Sequence, residues 1–170
     1  MQTTPQAQTA PRLGRYDIDT DASAITFRTR HMFGLAPVRG SLAIRSGTVE
    51  IREPPAASSV RAEIDTASFR TGNGQRDSTV RSATFLAVSR HPVMTFTADL
   101  VDGDRVDGTL TVRGVSQPVS LVIGDFDGSG QSFSANGTTR LDRTSFGLTA
   151  MRGLAGRFLD ISIRVSCVRK

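Results

Sequence analysis

The side chains that most often carry chemistry are few in this sequence. It holds two histidines, His31 and His91, and one cysteine, Cys167. General acid–base or nucleophilic catalysis needs convergent groups, such as a nucleophile beside a base or two carboxylates in different environments. The spacing supplies no such set. His31 closes an alternating segment on its apolar side. There it is placed either to offer a hydrogen bond at the mouth of a closed sheet or to be satisfied by a backbone carbonyl. His91 precedes Pro92, which marks a turn residue. Two isolated histidines and one cysteine do not make a metal-ligand set. No glycine-rich phosphate loop or Gly-x-Ser-x-Gly elbow occurs, and Gly72-Asn73-Gly74 reads as turn chemistry. The expectation is a protein with no metal, no cofactor and no catalysis. A lone cysteine also rules out an intrachain disulfide, and Cys167 is expected to be a buried structural thiol.

Charge narrows the partners. The net charge is +5, and Lys170 is the single lysine, so arginine carries almost all of it. Arg28, Arg45, Arg61, Arg113 and Arg164 stand singly, without a block of like charge. That pattern marks solvated outer faces, so no nucleic-acid partner is expected. No apolar run is long enough to span a bilayer, so stable membrane insertion is not expected. Met1 to Arg15 lacks an apolar h-region, which sets cytoplasmic as the expected location.

The elements that must position any site are strands. Ile25, Phe27, Thr29 and His31 share one face, while Thr26, Arg28 and Arg30 share the other. The same alternation runs through Val60–Ile64, Met94–Leu100, Val106–Val112, Val119–Ile123, Phe133–Ala135 and Leu159–Cys167. About eight strands follow, joined by short turns, with Asp102-Gly103, Asp107-Gly108 and Asp127-Gly128 read as punctuation. A sheet with one apolar face must close on itself or pack on a second sheet. Residues 51–57, with Pro54-Pro55, read as a loop, and residues 74–88 as a short helix capping one end. Residues 1–14 read as a disordered polar lead, and 15–170 as one domain.

Nine phenylalanines supply nearly all the aromatic bulk. Ordinary core packing is the expectation for Phe126 and Phe158. A barrel of about eight strands can nevertheless hold one small ligand instead of only side chains. Alternation alone does not distinguish a hollow interior from a filled one.

Several motifs taken together resemble the YceI-like family of lipocalin-like barrels associated with polyisoprenoid binding. They are Tyr16-Asp17-Ile18-Asp19 with Ser23–Phe27, Arg30-His31, Val38-Arg39-Gly40, Arg76-Asp77-Ser78 through Phe85, and His91–Phe96. Gly108–Val115 with Pro118-Val119, the most specific piece, and Arg143–Leu148 complete the order across residues 16–168. The resemblance implies an all-β, extended eight-stranded antiparallel barrel with a short helical lid and a long apolar channel. The implied partner is an apolar lipid, such as a polyisoprenoid or an isoprenoid quinone, and pairing into a homodimer is open to the chain.

Two departures stand out. Thr79 and Val80 take the place of the histidine and leucine that usually continue the Arg-Asp segment, which leaves the lipid head group open. Thr29 stands where the family tends to place an aliphatic residue, which implies a wall of the channel that is narrower in reach or more polar.

The candidate ligand-binding residues are Phe27, His31, Phe33, Phe69, Phe85, Phe96, Leu110, Val112 and Phe146. Strand parity selects Phe27, His31, Phe96, Leu110 and Val112. Loop position and the resemblance select the other four. Arg76 and Asp77 are expected to pair and fix the lid, and Arg143 to anchor the loop before Phe146. Two other readings stay open: an enzyme acting on an isoprenoid with His31 as base, and a solid-core basic barrel that binds surfaces.

Overall fold

The computed structural model describes residues 12–31, 36–151 and 155–170, except for the side chains of His31, Leu100 and Ser129. The strands are β1 (Gly14–Ile18), β2 (Ala24–His31), β3 (Ala36–Ile51), β4 (Ser59–Arg70), β5 (Val93–Asp102), β6 (Arg105–Val112), β7 (Val115–Ser129), β8 (Ser132–Asp142) and β9 (Phe158–Arg169). One helix, α1 (Gly74–Arg81), follows β4, and two single 3₁₀ turns occupy Pro55–Ala57 and Arg143–Phe146. Strand pairing thus begins at Gly14, inside the segment read as lead.

All pairings are antiparallel. From β4 to β9 each strand pairs with the next, β9 pairs with β2, β2 with β3, and β3 with β4, which closes the ring. Nine strands fill eight positions because β1 and β2 share one. Both lie between β3 and β9 and run in the same direction. β1 pairs with the segment 48–51 and β2 with 36–42 of β3. The interruption at 19–23 is pinned: Asp19 Oδ1 accepts the Asp21 and Ala22 amides, and the Ser23 hydroxyl donates to the Asp19 carbonyl. Among the described residues, closure gives every strand a partner on both sides. Twelve residues of β9 span ~40 Å of strand, or ~30 Å of barrel axis at a tilt near 40°.

Short hairpins hold the meander together. Arg113 and Gly114, between Val112 and Val115, both take positive φ, the mirror-image turn that matches the twist of the flanking strands. Asp102-Gly103 also lies at a turn, with Gly103 at φ 60°. Asp107-Gly108 and Asp127-Gly128 do not: they lie inside β6 and β7. These in-strand glycines serve side chains from neighbouring positions rather than turns. A Cβ on Gly108 would sit 2.7 Å from Phe96 Cζ and 2.5 Å from the Thr97 carbonyl oxygen. Gly40, directly opposite Phe27, is likewise covered by the Phe27 ring and lies close to the Arg70 carbonyl oxygen.

The interior face is almost wholly apolar. Ile25, Phe27, Ile64, Met94, Phe96, Leu110 and Ile161 are all buried. At the end of the barrel near β1, Tyr16 and Cys167 are completely enclosed, and Tyr16 packs edge-on against Phe133 with centroids 4.9 Å apart. Burial pushes the Cys167 thiol up to about 12, so it remains a protonated packing group.

Phe158 departs from the expectation of a core residue. It lies on the outer face at 44% exposure, with the guanidinium carbons of Arg140 and Arg157 at 4.6 and 5.1 Å from its ring centroid. Its parity explains this: Leu159 and Ile161 take the inward positions of β9.

The glycine packing gives a direct test. Gly108→Ala should destabilise the barrel by roughly 1–3 kcal/mol, because both a ring and a backbone carbonyl must move. Chemical denaturation of the variant and the parent measures this, and equal stabilities would contradict the packing described.

Candidate functional site

The inward side chains do not fill the barrel. Two cavities remain, of about 660 Å³ on the side of β1 and about 540 Å³ on the side of α1. Leu42, Met94, Leu110, Leu141 and Ile161 border both, so the cavities adjoin through a shared aliphatic layer. Each volume falls within the ~300–1,000 Å³ of pockets that enclose a small-molecule ligand. The inward faces of the strands thus enclose two adjoining apolar cavities.

The helical end is built by polar contacts. Asn73 caps α1 by accepting the Arg76 amide at 3.0 Å. Asp77, on the buried face of α1, accepts the Thr71 hydroxyl at 2.5 Å and its amide at 3.1 Å. Arg76 Nε donates to the same Thr71 hydroxyl oxygen at 2.9 Å. Thr71 therefore stands between Arg76 and Asp77, in place of the direct pair expected from the sequence. The threonine ties the lid to the end of β4 from both partners. Burial pushes the Asp77 carboxyl up, but the Thr71 hydrogen bonds, with Arg81 and Arg76 nearby, outweigh it and hold the group below the usual carboxylate range.

A second strap closes the same end. Arg143 is buried, and its guanidinium donates to the carbonyls of Leu148, Gly156 and Ala155 at 2.6, 2.8 and 3.2 Å. This is the loop-anchoring position expected of it, and it also borders the cavity, 5.6 Å from the Phe85 centroid. Asp142 caps the Arg143–Phe146 turn by accepting the Thr144 amide and hydroxyl, and it pairs with Arg157 at 3.0 Å. The Arg157 and Thr144 contacts hold the Asp142 carboxyl down at about 2.

Phe27, Phe69, Phe85, Leu110, Val112 and Phe146 all border the cavity under α1. Phe96 borders the cavity on the β1 side, together with Leu110. The side chain of His31, and Phe33 altogether, lie outside the described residues. Phe126, read from sequence as ordinary core, borders the β1-side cavity and stacks on Phe133 at 5.4 Å.

Sequence reasoning missed the aliphatic lining of that chamber, including Ile44, Val49, Ile64 and Val119. Their alternation was visible, but nothing in it says that the space beyond them is empty. Thr29 borders the channel under α1, as its departure from the family pattern suggested. Its hydroxyl donates to the Phe158 carbonyl at 2.7 Å, so that polar atom is already engaged by the wall.

Fold and site together define a closed antiparallel barrel with two adjoining apolar cavities and a helical lid. The YceI-like domain model matches residues 16–167, and the chain belongs to that family. A UPF0312 protein of Pectobacterium atrosepticum is 37% identical, the match covering 92% of this chain and 86% of that one. Protein YceI of Escherichia coli O157:H7 is 34% identical over 91% of this chain and 87% of its own. Among solved structures, Burkholderia cenocepacia BcnA superposes with a TM-score of 0.72 at 18% identity, covering 88% of this chain and 98% of that one. A polyisoprenoid binding domain from Saccharophagus degradans superposes at 0.69 and 16% identity, covering 94% and 100%. Those two likenesses concern the fold. Among the described residues no helix is long and apolar enough to cross a membrane.

The Asp142 cap makes a pH prediction. Its folded value is depressed, so its contribution is complete above the ordinary value of 3.8 and is lost as pH falls through about 2. The protection factor of the Thr144 amide, which Asp142 accepts, should fall across that window relative to the β8–β9 core. Hydrogen exchange measures it, with Asp142→Asn as the variant lacking the transition; a constant ratio would contradict the assignment.

Proposed function

We propose that this protein binds, and carries or stores, an apolar chain lipid of the polyisoprenoid or isoprenoid-quinone type, and performs no reaction on it. The observation that carries the proposal is the unfilled apolar interior. Apolar side chains that face an open space of about 660 Å³ forfeit the dispersion contacts that a packed core would give them. A solid-core barrel would have no such deficit, and a chain lipid in the lumen restores the missing contacts. A tail of ~20 heavy atoms at ~0.3 kcal/mol each would bind with about 6 kcal/mol, in the tens-of-micromolar range.

Family membership and the named Saccharophagus degradans domain support the same reading. The candidate contacts are Phe27, Phe69, Phe85, Phe96, Leu110, Val112 and Phe146, with His31 and Phe33 proposed on sequence grounds alone. The polar head is proposed to lie at the α1 end, where Arg76, Thr79, Asn73 and Gln75 border the cavity. Thr79 stands there in place of the usual family histidine, and its hydroxyl donates to the Gln75 carbonyl at 3.0 Å.

The test is extraction and native mass spectrometry of protein purified from its own host. A near-stoichiometric chain lipid is expected. Returned to delipidated protein at ~100 times its dissociation constant, it should stabilise by ~2.7 kcal/mol and raise Tm by ~5–10 °C. Protein that yields no lipid and gains no stability from added prenols would overturn the proposal. Turnover of a labelled isoprenoid, abolished by His31→Gln, would overturn the non-catalytic half.

A further inference from the structure

Arginines that stand singly along the chain meet on one outer face of the barrel. Arg39 of β3 lies opposite Arg28 of β2, Arg28 opposite Asp160 of β9, and Asp160 opposite Arg140 of β8. Next to this row Arg30 lies opposite Pro37, and Phe158 opposite Asp142, with Arg157 preceding Phe158. All five arginines are exposed. The face thus sets five guanidiniums against two carboxylates.

The two carboxylates are taken by Arg140, at 3.7 Å from Asp160, and by Arg157, at 3.0 Å from Asp142. Among the described residues Arg28, Arg30 and Arg39 make no ion pair. Like charges directly opposite each other on neighbouring strands repel. The Arg28–Arg39 pair therefore carries a cost that the fold leaves uncompensated and an external anion would relieve.

This face adjoins the mouth under α1. Thr29, Val38 and Leu159, the inward neighbours of Arg28, Arg30, Arg39 and Phe158, border the cavity there. Two large apolar side chains are exposed at the same end. Phe158 is 44% exposed, and Met151, at 48%, itself borders the cavity. Guanidiniums beside apolar tips match a bilayer surface, where a phosphate layer lies just above the acyl boundary. A nucleic-acid site instead lines cations along a continuous backbone track. Here Asp160 interrupts the row between Arg28 and Arg140.

We infer that this face docks the α1 mouth of the barrel onto an anionic lipid bilayer. Arg28, Arg30 and Arg39 meet head-group phosphates, and Phe158 and Met151 enter the interface. The association is peripheral, and it turns the cavity mouth toward the membrane. It goes beyond the lipid-binding reading and stands apart from it, because the face is present whatever the channel holds.

The test is cosedimentation of the full chain with vesicles. One set is pure phosphatidylcholine, and the other holds phosphatidylcholine and phosphatidylglycerol at about two to one. The parent should bind the anionic vesicles at least about tenfold more tightly, since each arginine at such a surface contributes roughly fivefold. That preference should vanish at ~0.5 M salt, where charges are screened within a few ångströms.

Arg28→Gln combined with Arg39→Gln removes unpaired, mutually repelling charges and should cost about tenfold or more in anionic-vesicle affinity. Arg45→Gln combined with Arg61→Gln removes the same net charge from exposed positions of β3 and β4. That control should stay within about twofold of the parent. Phe158→Ser should weaken binding with the arginines intact, and thermal unfolding confirms that each variant is folded. Equal losses for the two arginine pairs, or a parent that binds both vesicles alike or neither, would overturn the docking. Tighter binding of single-stranded DNA than of anionic vesicles, lost with Arg28 and Arg39, would overturn the bilayer as partner. An empty channel would leave these binding curves unchanged, so the docking and the lipid-binding reading fail separately.

Discussion

Phe27 faces Gly40 across the β2–β3 pair, and Phe96 reaches diagonally over Gly108 from β5 to β6. In each case the ring occupies the space that a Cβ would need. It therefore lies along the wall instead of across the lumen. Ile18 against Gly47 repeats the arrangement in aliphatic form. The rest of the structure depends on this constraint. An eight-position ring has only enough interior for one layer of side chains or one ligand, and large residues standing upright would fill it. Glycines in the strands let the largest residues lie flat, so the wall is apolar, well packed within itself and hollow at its centre. The cost is borne by the strands, because glycine weakens a strand and offers nothing to pack. Closure of the hydrogen-bonded ring supplies the compensating order.

Polar chemistry is confined to the ends, where it holds shape. Thr71 joins Arg76 to Asp77 and so fastens α1 to β4. Arg143 gathers three carbonyls of the loop that crosses the same mouth. Buried polar groups stabilise only when satisfied, and these are satisfied by the backbone they fasten. The result is a lid attached at defined points, over a channel with few polar side chains along its length. Among the described residues, such a lining offers shape and apolar contact along its length, with the polar groups gathered at the end beneath α1.

Much of the fold was legible in the sequence because period-two alternation reports directly on which face is buried. β9 shows it best: Leu159, Ile161, Ile163, Val165 and Cys167 alternate with polar residues, and these five are the inward set. The helix was legible from its break in that pattern and from the Gly72-Asn73-Gly74 punctuation. The errors have separate physical causes. Asp107-Gly108 and Asp127-Gly128 have turn composition yet lie in strands; at Gly108 the Phe96 ring of the neighbouring strand takes the space of a Cβ, and at Gly128 the Phe126 ring of the same strand packs close by. Sequence spacing does not reveal that cross-strand demand. Phe158 resembled core by residue type, but parity places it outside between Arg140 and Arg157. The Thr71 bridge was invisible for a similar reason, since it joins the last turn of chain before α1 to the helix itself through side-chain geometry. Hollowness was the least legible property: it is a difference between the volume a ring encloses and the volume its side chains fill, and alternation encodes neither.

The central claim is that the lumen is an open channel made for a chain. A crystal structure of the protein purified from its own host tests it most directly. The account predicts continuous elongated density along the barrel axis, passing Met94 and Leu110 and ending beneath α1. An interior closed by inward collapse of Phe27 and Phe96 onto Met94 and Leu110, with no such density, would contradict it.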